Sequence, residues 1–145
     1  MFNRILVLVD DTERTLAAVE AALELARSTN GHVAFLCLLS AVAAVPPSDS
    51  RATFTTPGQI RLNAEAAAGE ALANSARRAQ LAGVRCSGMI GTGDHDMASV
   101  LNASRDDASD VVVLARPRVI AANEAPGTSL IDQLSVHSPI PMLLV

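Results

Sequence analysis

Residues 5–10 read ILVLVD, five aliphatic residues followed by an aspartate. The run lacks the alternation of apolar and polar residues that marks a strand with one wet face. We therefore expect both faces of this strand to be buried, as in a parallel sheet. Thr12 is placed to cap a following helix, and Asn30-Gly31 is expected to end it. Between them, apolar residues recur at helical spacing through residues 13–28, namely at Leu16, Val19, Leu23 and Ala26.

The alternation of strand and helix continues along the chain. Strand-like runs occupy residues 33–39, 84–90, 111–114 and 139–145, and helical patterns occupy residues 59–81, 95–105 and 129–136. Residues 41–58 form the one long irregular connection. The order β-α-β-loop-α-β-α-β-α-β predicts a Rossmann-like α/β protein, a doubly wound parallel sheet of five strands with helices on both faces. We expect residues 1–145 to form a single domain, since this length suits one hydrophobic core.

The charge balance argues against a nucleic-acid partner. The net charge is −4, and all eleven basic residues are arginines that form no basic stripe. The apolar run before Asp10 is too short for a signal peptide, and no stretch approaches the roughly 18–20 apolar residues of a membrane helix. We therefore expect a cytoplasmic protein that binds neither nucleic acid nor membrane.

The residues that most often carry catalysis or bind metals are scattered. Cys37 and Cys86 lie in apolar, strand-like runs and are expected to be buried thiols rather than partners in a disulfide. His95 stands between two aspartates in a turn, where neighbouring side chains seldom converge on one metal ion. The sequence contains no nucleophile motif of the serine-hydrolase type and no phosphate-loop lysine motif. We expect no catalytic residues and no metal site.

Three segments resemble the universal stress protein family. Residues 5–13, ILVLVDDTE, resemble its opening strand and V-D-G-S-E turn. Residues 93–94, GD, followed by a helix and by ASDVVVL at residues 108–114, resemble its G-D-P segment and A-D-L-I-V-M strand. Residues 129–145 resemble its terminal segment, G-S-V-A-E-R-V…H-A-P-C-P-V-L-V-V. The three segments span nearly the whole chain in the family's order.

This resemblance implies a strand order of 3-2-1-4-5 in an adenine nucleotide alpha hydrolase-like sheet. It also implies a homodimer, commonly formed by pairing the last strands across a two-fold axis. Residues 139–145 would be that strand here. The implication agrees with the physics of the sequence, since an apolar strand at an uncovered sheet edge invites pairing.

Some members of that family bind ATP through G-x-x-G, nine residues and then G-[ST] after the fourth strand. Matching the flanking strands places Ala115, Arg118 and Thr128 at the three glycines, while Ser129 keeps the hydroxyl. Gly127 lies one position before the third glycine. Because those glycines let backbone amides wrap the phosphates, we expect the usual phosphate cradle to be lost.

Two further departures from the family's sequence pattern also predict that the phosphate cradle is lost. Pro117 lies inside the loop and removes one amide donor. Asp11 stands where the family has glycine, and a second carboxylate beside Asp10 would repel a polyphosphate unless a cation intervened.

The leading interpretation is therefore a stress-associated dimer that uses no catalysis and no cofactor and acts by pairing with a protein partner that the sequence does not identify. An alternative is an adenine-nucleotide sensor that binds ATP or AMP, with or without Mg²⁺, and shifts partner binding. Its pocket would be lined by Asp10, Leu38, Arg116, Arg118, Thr128 and Ser129. There the two arginines would replace the missing amides as phosphate donors, and Asp10 would hold ribose hydroxyls or Mg²⁺.

Asp10 also has a structural interpretation, as a carboxylate stabilised by the dipole of the following helix. A third hypothesis is an enzyme that acts at the α-phosphate of a nucleotide. It requires a phosphate cradle and a positioned acid or base, and the sequence offers neither.

Overall fold

The computed structural model describes residues 2–10, 12–39, 57–91, 96–115, 134 and 136–145. Its strands are β1 (Arg4–Val9), β2 (His32–Leu38), β3 (Arg85–Gly91), β4 (Val111–Leu114) and β5 (Met142–Leu144). Its helices are α1 (Arg14–Thr29), α2 (Pro57–Leu81) and α3 (Asp96–Asp106). The strands form one sheet in the order β3-β2-β1-β4-β5, and each neighbouring pair is parallel. The expected fold class and strand order are confirmed.

The central strands bury both faces, which explains the unbroken aliphatic run in β1. Ile5, Val7 and Val9 belong to a core cluster with α1 and α2, whereas Leu6 belongs to a second cluster with α3. Leu134 is 1% exposed and lies in that second cluster. Helices therefore cover both faces of the sheet, as the doubly wound pattern predicts.

The left-handed residues that follow α1 and α2 end these helices. Asn30 has φ 54°, and the N–H of Gly31 donates to the carbonyl of Ala26 at 2.8 Å. Gly83, with φ 72°, follows α2 in the same way. These are the positions at which asparagine and glycine most readily adopt such backbone angles.

The starts of the helices differ from the sequence predictions. Thr12 does not cap α1, because the N-cap position is Glu13 and no side chain caps it. Leu16, expected on the buried face, is 42% exposed. Helix α2 begins at Pro57, two residues before the predicted start, because proline suits a first turn in which its missing N–H has no helical partner.

A polar contact fixes β1 beside β4 at the amino ends of the strands. One carboxylate oxygen of Asp110 accepts the N–H groups of Asn3 and Arg4, at 2.8 and 3.0 Å. The Arg4 guanidinium also pairs with Asp107 at 2.9 Å. These contacts hold β1 and β4 together at their amino ends, opposite the carboxyl ends at which the candidate site lies.

Among the described helices, none is long and apolar enough to cross a bilayer.

Candidate functional site

The carboxyl ends of β1 and its neighbours form the edge at which ligands bind in open α/β sheets. The chain leaves β1 through α1 towards β2 on one side, while β4 lies on the other side of β1. The strand order therefore reverses at β1, and the crevice between the two crossovers is the expected binding position. Asp10 follows β1 directly at this point.

The Asp10 carboxylate is held by the first turn of α1. Its Oδ1 accepts hydrogen bonds from the Thr12 N–H at 2.8 Å and from the hydroxyls of Thr12 and Thr15 at 2.5 and 2.7 Å. The Asp10 N–H in turn donates to the Thr15 hydroxyl at 2.8 Å. Thr15 is only 6% exposed, so this network lies at the margin of the core. It joins the end of β1 to the start of α1.

The two oxygens of Asp10 therefore differ. Oδ1 is fully engaged by the turn, whereas no described residue donates a hydrogen bond to Oδ2. The structural role of Asp10 thus rests on hydrogen bonds from Thr12 and Thr15, and not only on the helix dipole. Among the described residues, none therefore competes with a hydroxyl or a cation for Oδ2.

Leu38 lies beside Asp10 at the end of the neighbouring strand. The register pairs Val9 with Cys37, so the residues that follow, Asp10 and Leu38, are neighbours across the strand ends. The Leu38 side chain is 2% exposed and packs in the cluster on the α3 side of the sheet. A Cβ on Gly91 would lie 2.7 Å from its Cδ2 atom. Leu38 is therefore a buried core residue that lies next to Asp10 at the carboxyl edge of the sheet.

The structure describes two of the six residues predicted to line the pocket. Arg116, Arg118, Thr128 and Ser129 lie outside the described residues, as do Asp11, Pro117 and Gly127. Ala115 is described, and it is half-buried against the core cluster on the side of α1 and α2. Asp10 and Leu38 are thus the members of the predicted set that the structure brings together.

Sequence reasoning missed a cavity between α1 and α2. It is open to solvent and has a volume of about 400 Å³, and Asp10, Thr12 and Thr15 are among its lining residues. Arg78 also lines it and pairs with Glu20 at 2.6 Å, although both side chains are exposed. The cavity adjoins Asp10 on the side of the sheet opposite Leu38. The sequence feature that could have indicated this cavity is a row of small residues on α2, since Ala67, Ala71 and Ser75 line it.

The cysteines and histidines do not gather at this edge. Cys37 is buried, and burial raises the pKa of the half-buried Cys86 thiol above its usual value, so that thiol is not an activated nucleophile. His32 lies beside β3, with its Nε2 atom 3.0 Å from the Ser87 hydroxyl. Across the described part of the chain, no three His, Cys, Asp or Glu residues are grouped to hold a metal ion. His95 lies outside that part.

The last strand forms one edge of the sheet. Strand β5 is shorter than the predicted 139–145, with ladder pairs from Met142 to Leu144 only. The flanking residues still hydrogen-bond β4, since Pro141 accepts the Val112 N–H and Val145 donates to the Leu114 carbonyl. Leu143 is 41% exposed and Val145 37% exposed. No described residue pairs with the outer side of β5, so an apolar edge is present where the sequence predicted one.

Comparisons with known proteins agree with this architecture. The sequence model of the universal stress protein family matches residues 1–145. A comparison with curated protein sequences finds no match.

Three solved structures illustrate the fold. A universal stress protein family member from Burkholderia pseudomallei aligns with a TM-score of 0.71 and 21% identity, covering 99% of this chain and 96% of that one. The Archaeoglobus fulgidus universal stress protein in complex with dAMP gives 0.68 and 15%, covering 99% and 97%. An Arabidopsis thaliana family protein with AMP bound gives 0.66 and 17%, covering 99% and 90%.

Proposed function

The chain belongs to the universal stress protein family, and from that premise we propose that it is a non-catalytic stress-response protein that acts as a homodimer. The dimer forms through the C-terminal strand and works by presenting its surface to a protein partner. The observation that carries the proposal is the exposed apolar edge at β5.

The chemistry of that edge favours a second copy of the chain. An edge strand leaves backbone N–H and C=O groups without a strand partner, and these groups pair readily with another strand. Leu143 and Val145 add apolar surface, with 41% and 37% of each side chain exposed. A two-fold axis beside β5 would pair both edges at once and remove these side chains from water.

The carboxyl edge offers little support for catalysis. Asp10 is its one described acid directly after β1, and its Oδ1 atom is committed to the turn of α1. The sequence places Ala115 and Arg118 where nucleotide-binding relatives have glycine, and Pro117 removes an amide between them. A reaction at a phosphate needs oriented donors around the transferred group, and these substitutions remove the usual ones.

Light scattering coupled to size-exclusion chromatography tests the dimer. Wild type is expected at twice or more the 15.0 kDa mass of the chain. Leu143→Arg should lower the number of subunits, because a buried unpaired charge opposes association. Leu81→Arg is the matched control, since Leu81 is also an exposed leucine, at 85%, but lies at the end of α2. An unchanged mass for Leu143→Arg would contradict the proposal.

A second candidate function is an adenine-nucleotide sensor, and one specific observation favours it. Asp10 lies at the strand-order switch, and no described residue donates to its Oδ2 atom, where a ribose hydroxyl or Mg²⁺ could bind. The relatives from A. fulgidus and A. thaliana hold dAMP and AMP. In this alternative Leu38 forms part of the pocket floor. Arg116, Arg118, Thr128 and Ser129 complete the pocket.

Calorimetric titration with ATP, AMP, dAMP and cyclic AMP, with and without Mg²⁺, separates the two candidates. A Kd tighter than roughly 10 μM, about −7 kcal/mol, supports the sensor. In that case Asp10→Ala and Arg118→Ala should each weaken binding about tenfold, or about 1.4 kcal/mol. Absence of heat with all four nucleotides supports the nucleotide-independent dimer.

A further inference from the structure

Strand β3 forms the edge of the sheet opposite β5, and no described residue pairs with its outer side. Strand β3 pairs with β2 through seven consecutive residues, from Arg85 to Gly91, with no bulge. Natural edge strands are commonly protected by shortness, proline, bulges or several charges. Strand β3 reads RCSGMIG, so it has no proline and a single charge at its first residue. At roughly 23 Å in length, it is the longer of the two edges.

The direction of its backbone groups follows from one hydrogen bond. The Leu39 N–H donates to the Gly91 carbonyl at 3.0 Å, so the polar groups of Gly91 face β2. Backbone groups alternate in direction along a strand, and those of residues 85, 87 and 89 therefore also face β2. The N–H and C=O groups of Cys86, Gly88 and Ile90 point away from the sheet.

We infer that β3 is a second self-association surface, at which another copy of the chain pairs antiparallel about a two-fold axis at Gly88. In this register Gly88 faces the second copy's Gly88, and Cys86 faces its Ile90. These are the residues whose backbone groups point outward, so each facing pair exchanges two hydrogen bonds. The outward N–H and C=O groups of both strands are all satisfied.

The side chains are compatible with that register. Cys86 and Ile90 both lie on the α2 side of the sheet, beside positions 33 and 37 of β2, so an apolar cross-strand pair forms on each side of the axis. Arg85, the single charge, faces the second copy's Gly91, and no like charges meet. At the axis the absent side chain of Gly88 leaves room, because the atoms nearest to a Cβ there belong to Leu72, at 3.7–3.9 Å.

A second copy is the occupant that these features specify. The edge requires an extended strand with outward polar groups at every second residue and no bulk at the centre, and the chain's own β3 meets each condition. Ile90 is 42% exposed, so pairing also covers apolar surface. Because β3 and β5 lie at opposite edges, the inference is independent of the interface under Proposed function. With both edges paired, the assembly exceeds two subunits.

Residue-resolved hydrogen exchange on the wild-type protein tests the inference without a substitution. The amides of Cys86, Gly88 and Ile90 should exchange about tenfold more slowly at roughly 1 mM than at roughly 10 μM chain, since pairing protects them. The amides of Ser87 and Met89 serve as internal controls, because their protection comes from β2 and does not depend on concentration. Fast exchange of the three outward amides at every concentration overturns the inference.

Mass measurements on two substitutions give an independent test and separate the two edges. Ile90→Arg should lower the number of subunits, because each arginine would face the second copy's Cys86 and replace an apolar pair by a buried charge, whereas Leu81→Arg should leave it unchanged. Combined with Leu143→Arg, Ile90→Arg should leave a monomer of 15.0 kDa. If Leu143→Arg alone already gives a monomer at roughly 1 mM, β3 does not pair and the inference fails, while the β5 interface stands.

Discussion

Replacing Thr15 by valine should loosen the end of β1 and destabilise the whole protein. Valine has the shape of threonine without its hydroxyl, so the change removes hydrogen bonds and opens no cavity. The Thr15 hydroxyl accepts the Asp10 N–H at 2.8 Å and donates to Asp10 Oδ1 at 2.7 Å. Both bonds are lost at a position where Thr15 is 6% exposed, at the margin of the core.

The expected loss in the free energy of unfolding follows from two groups that each lose a hydrogen-bond partner, the Asp10 N–H and the Asp10 carboxylate. The Asp10 N–H, which is partly buried, loses its acceptor at a cost of about 1–3 kcal/mol. The carboxylate loses one of three donors but keeps both from Thr12, which adds about 1 kcal/mol. We expect Thr15→Val to lower the free energy of unfolding by about 2–4 kcal/mol, which shifts a urea midpoint by roughly 1–2 M.

A urea titration followed by circular dichroism measures this loss. Thr15→Ser is the matched control, because it keeps the hydroxyl and removes one methyl group, at a cost of about 0.8 kcal/mol. Asp10→Asn/Thr15→Val should lose less than the sum of the single changes, since the residues act as one network. A loss below about 0.5 kcal/mol for Thr15→Val would refute the claim that Thr15 holds Asp10 in place.

Three further predictions concern the backbone and one cysteine. Gly31→Ala should destabilise the fold by about 1–3 kcal/mol in thermal unfolding, because its Cβ would lie 2.9 Å from the Asn3 carbonyl oxygen, a backbone atom. An unchanged melting temperature would contradict this, because it would show that the backbone at Asn3 moves away from the new methyl group at no cost. Gly69→Ala should stabilise by about 0.5–1 kcal/mol, since it lies inside α2 with nothing within 4 Å of the new Cβ, and a lowered melting temperature would contradict this. Alkylation of Cys86 by iodoacetamide should reach half its maximal rate at a higher pH in the folded than in the urea-unfolded protein, because burial raises the pKa of this thiol. Equal pH midpoints in the folded and the unfolded protein would contradict a raised pKa of the Cys86 thiol.

The sequence predicted the fold well because its strongest signals are buried. The aliphatic runs of β1, β2 and β4 have no polar face, and such runs are stable only inside a sheet covered on both sides. The errors lie at the ends of elements, where two local preferences compete. Pro57 is read equally well as a loop residue or as the first residue of a helix, and the structure selects the helix.

The candidate site was less predictable, because its parts meet only in three dimensions. Asp10 was identified from its position after a buried strand, but its partner Thr15 was not, since an interior helical threonine gives no sign of what its hydroxyl contacts. The cavity between α1 and α2 likewise depends on how closely two helices approach each other. Side-chain spacing within one element does not predict contacts between elements.

The residues that stabilise the sheet and the residues matched to the nucleotide motif lie in different parts of the sequence. The stabilising clusters are built from strand residues such as Val7 and Val113, which are fully buried. The motif positions follow β4, from Ala115 to Ser129, outside the strands that form those clusters. Of these positions Ala115 is described, and it packs half-buried against the core cluster on the side of α1 and α2. The sheet therefore establishes the fold, whereas binding at the carboxyl edge has to be argued from the residues of that site, because one fold can carry different functions.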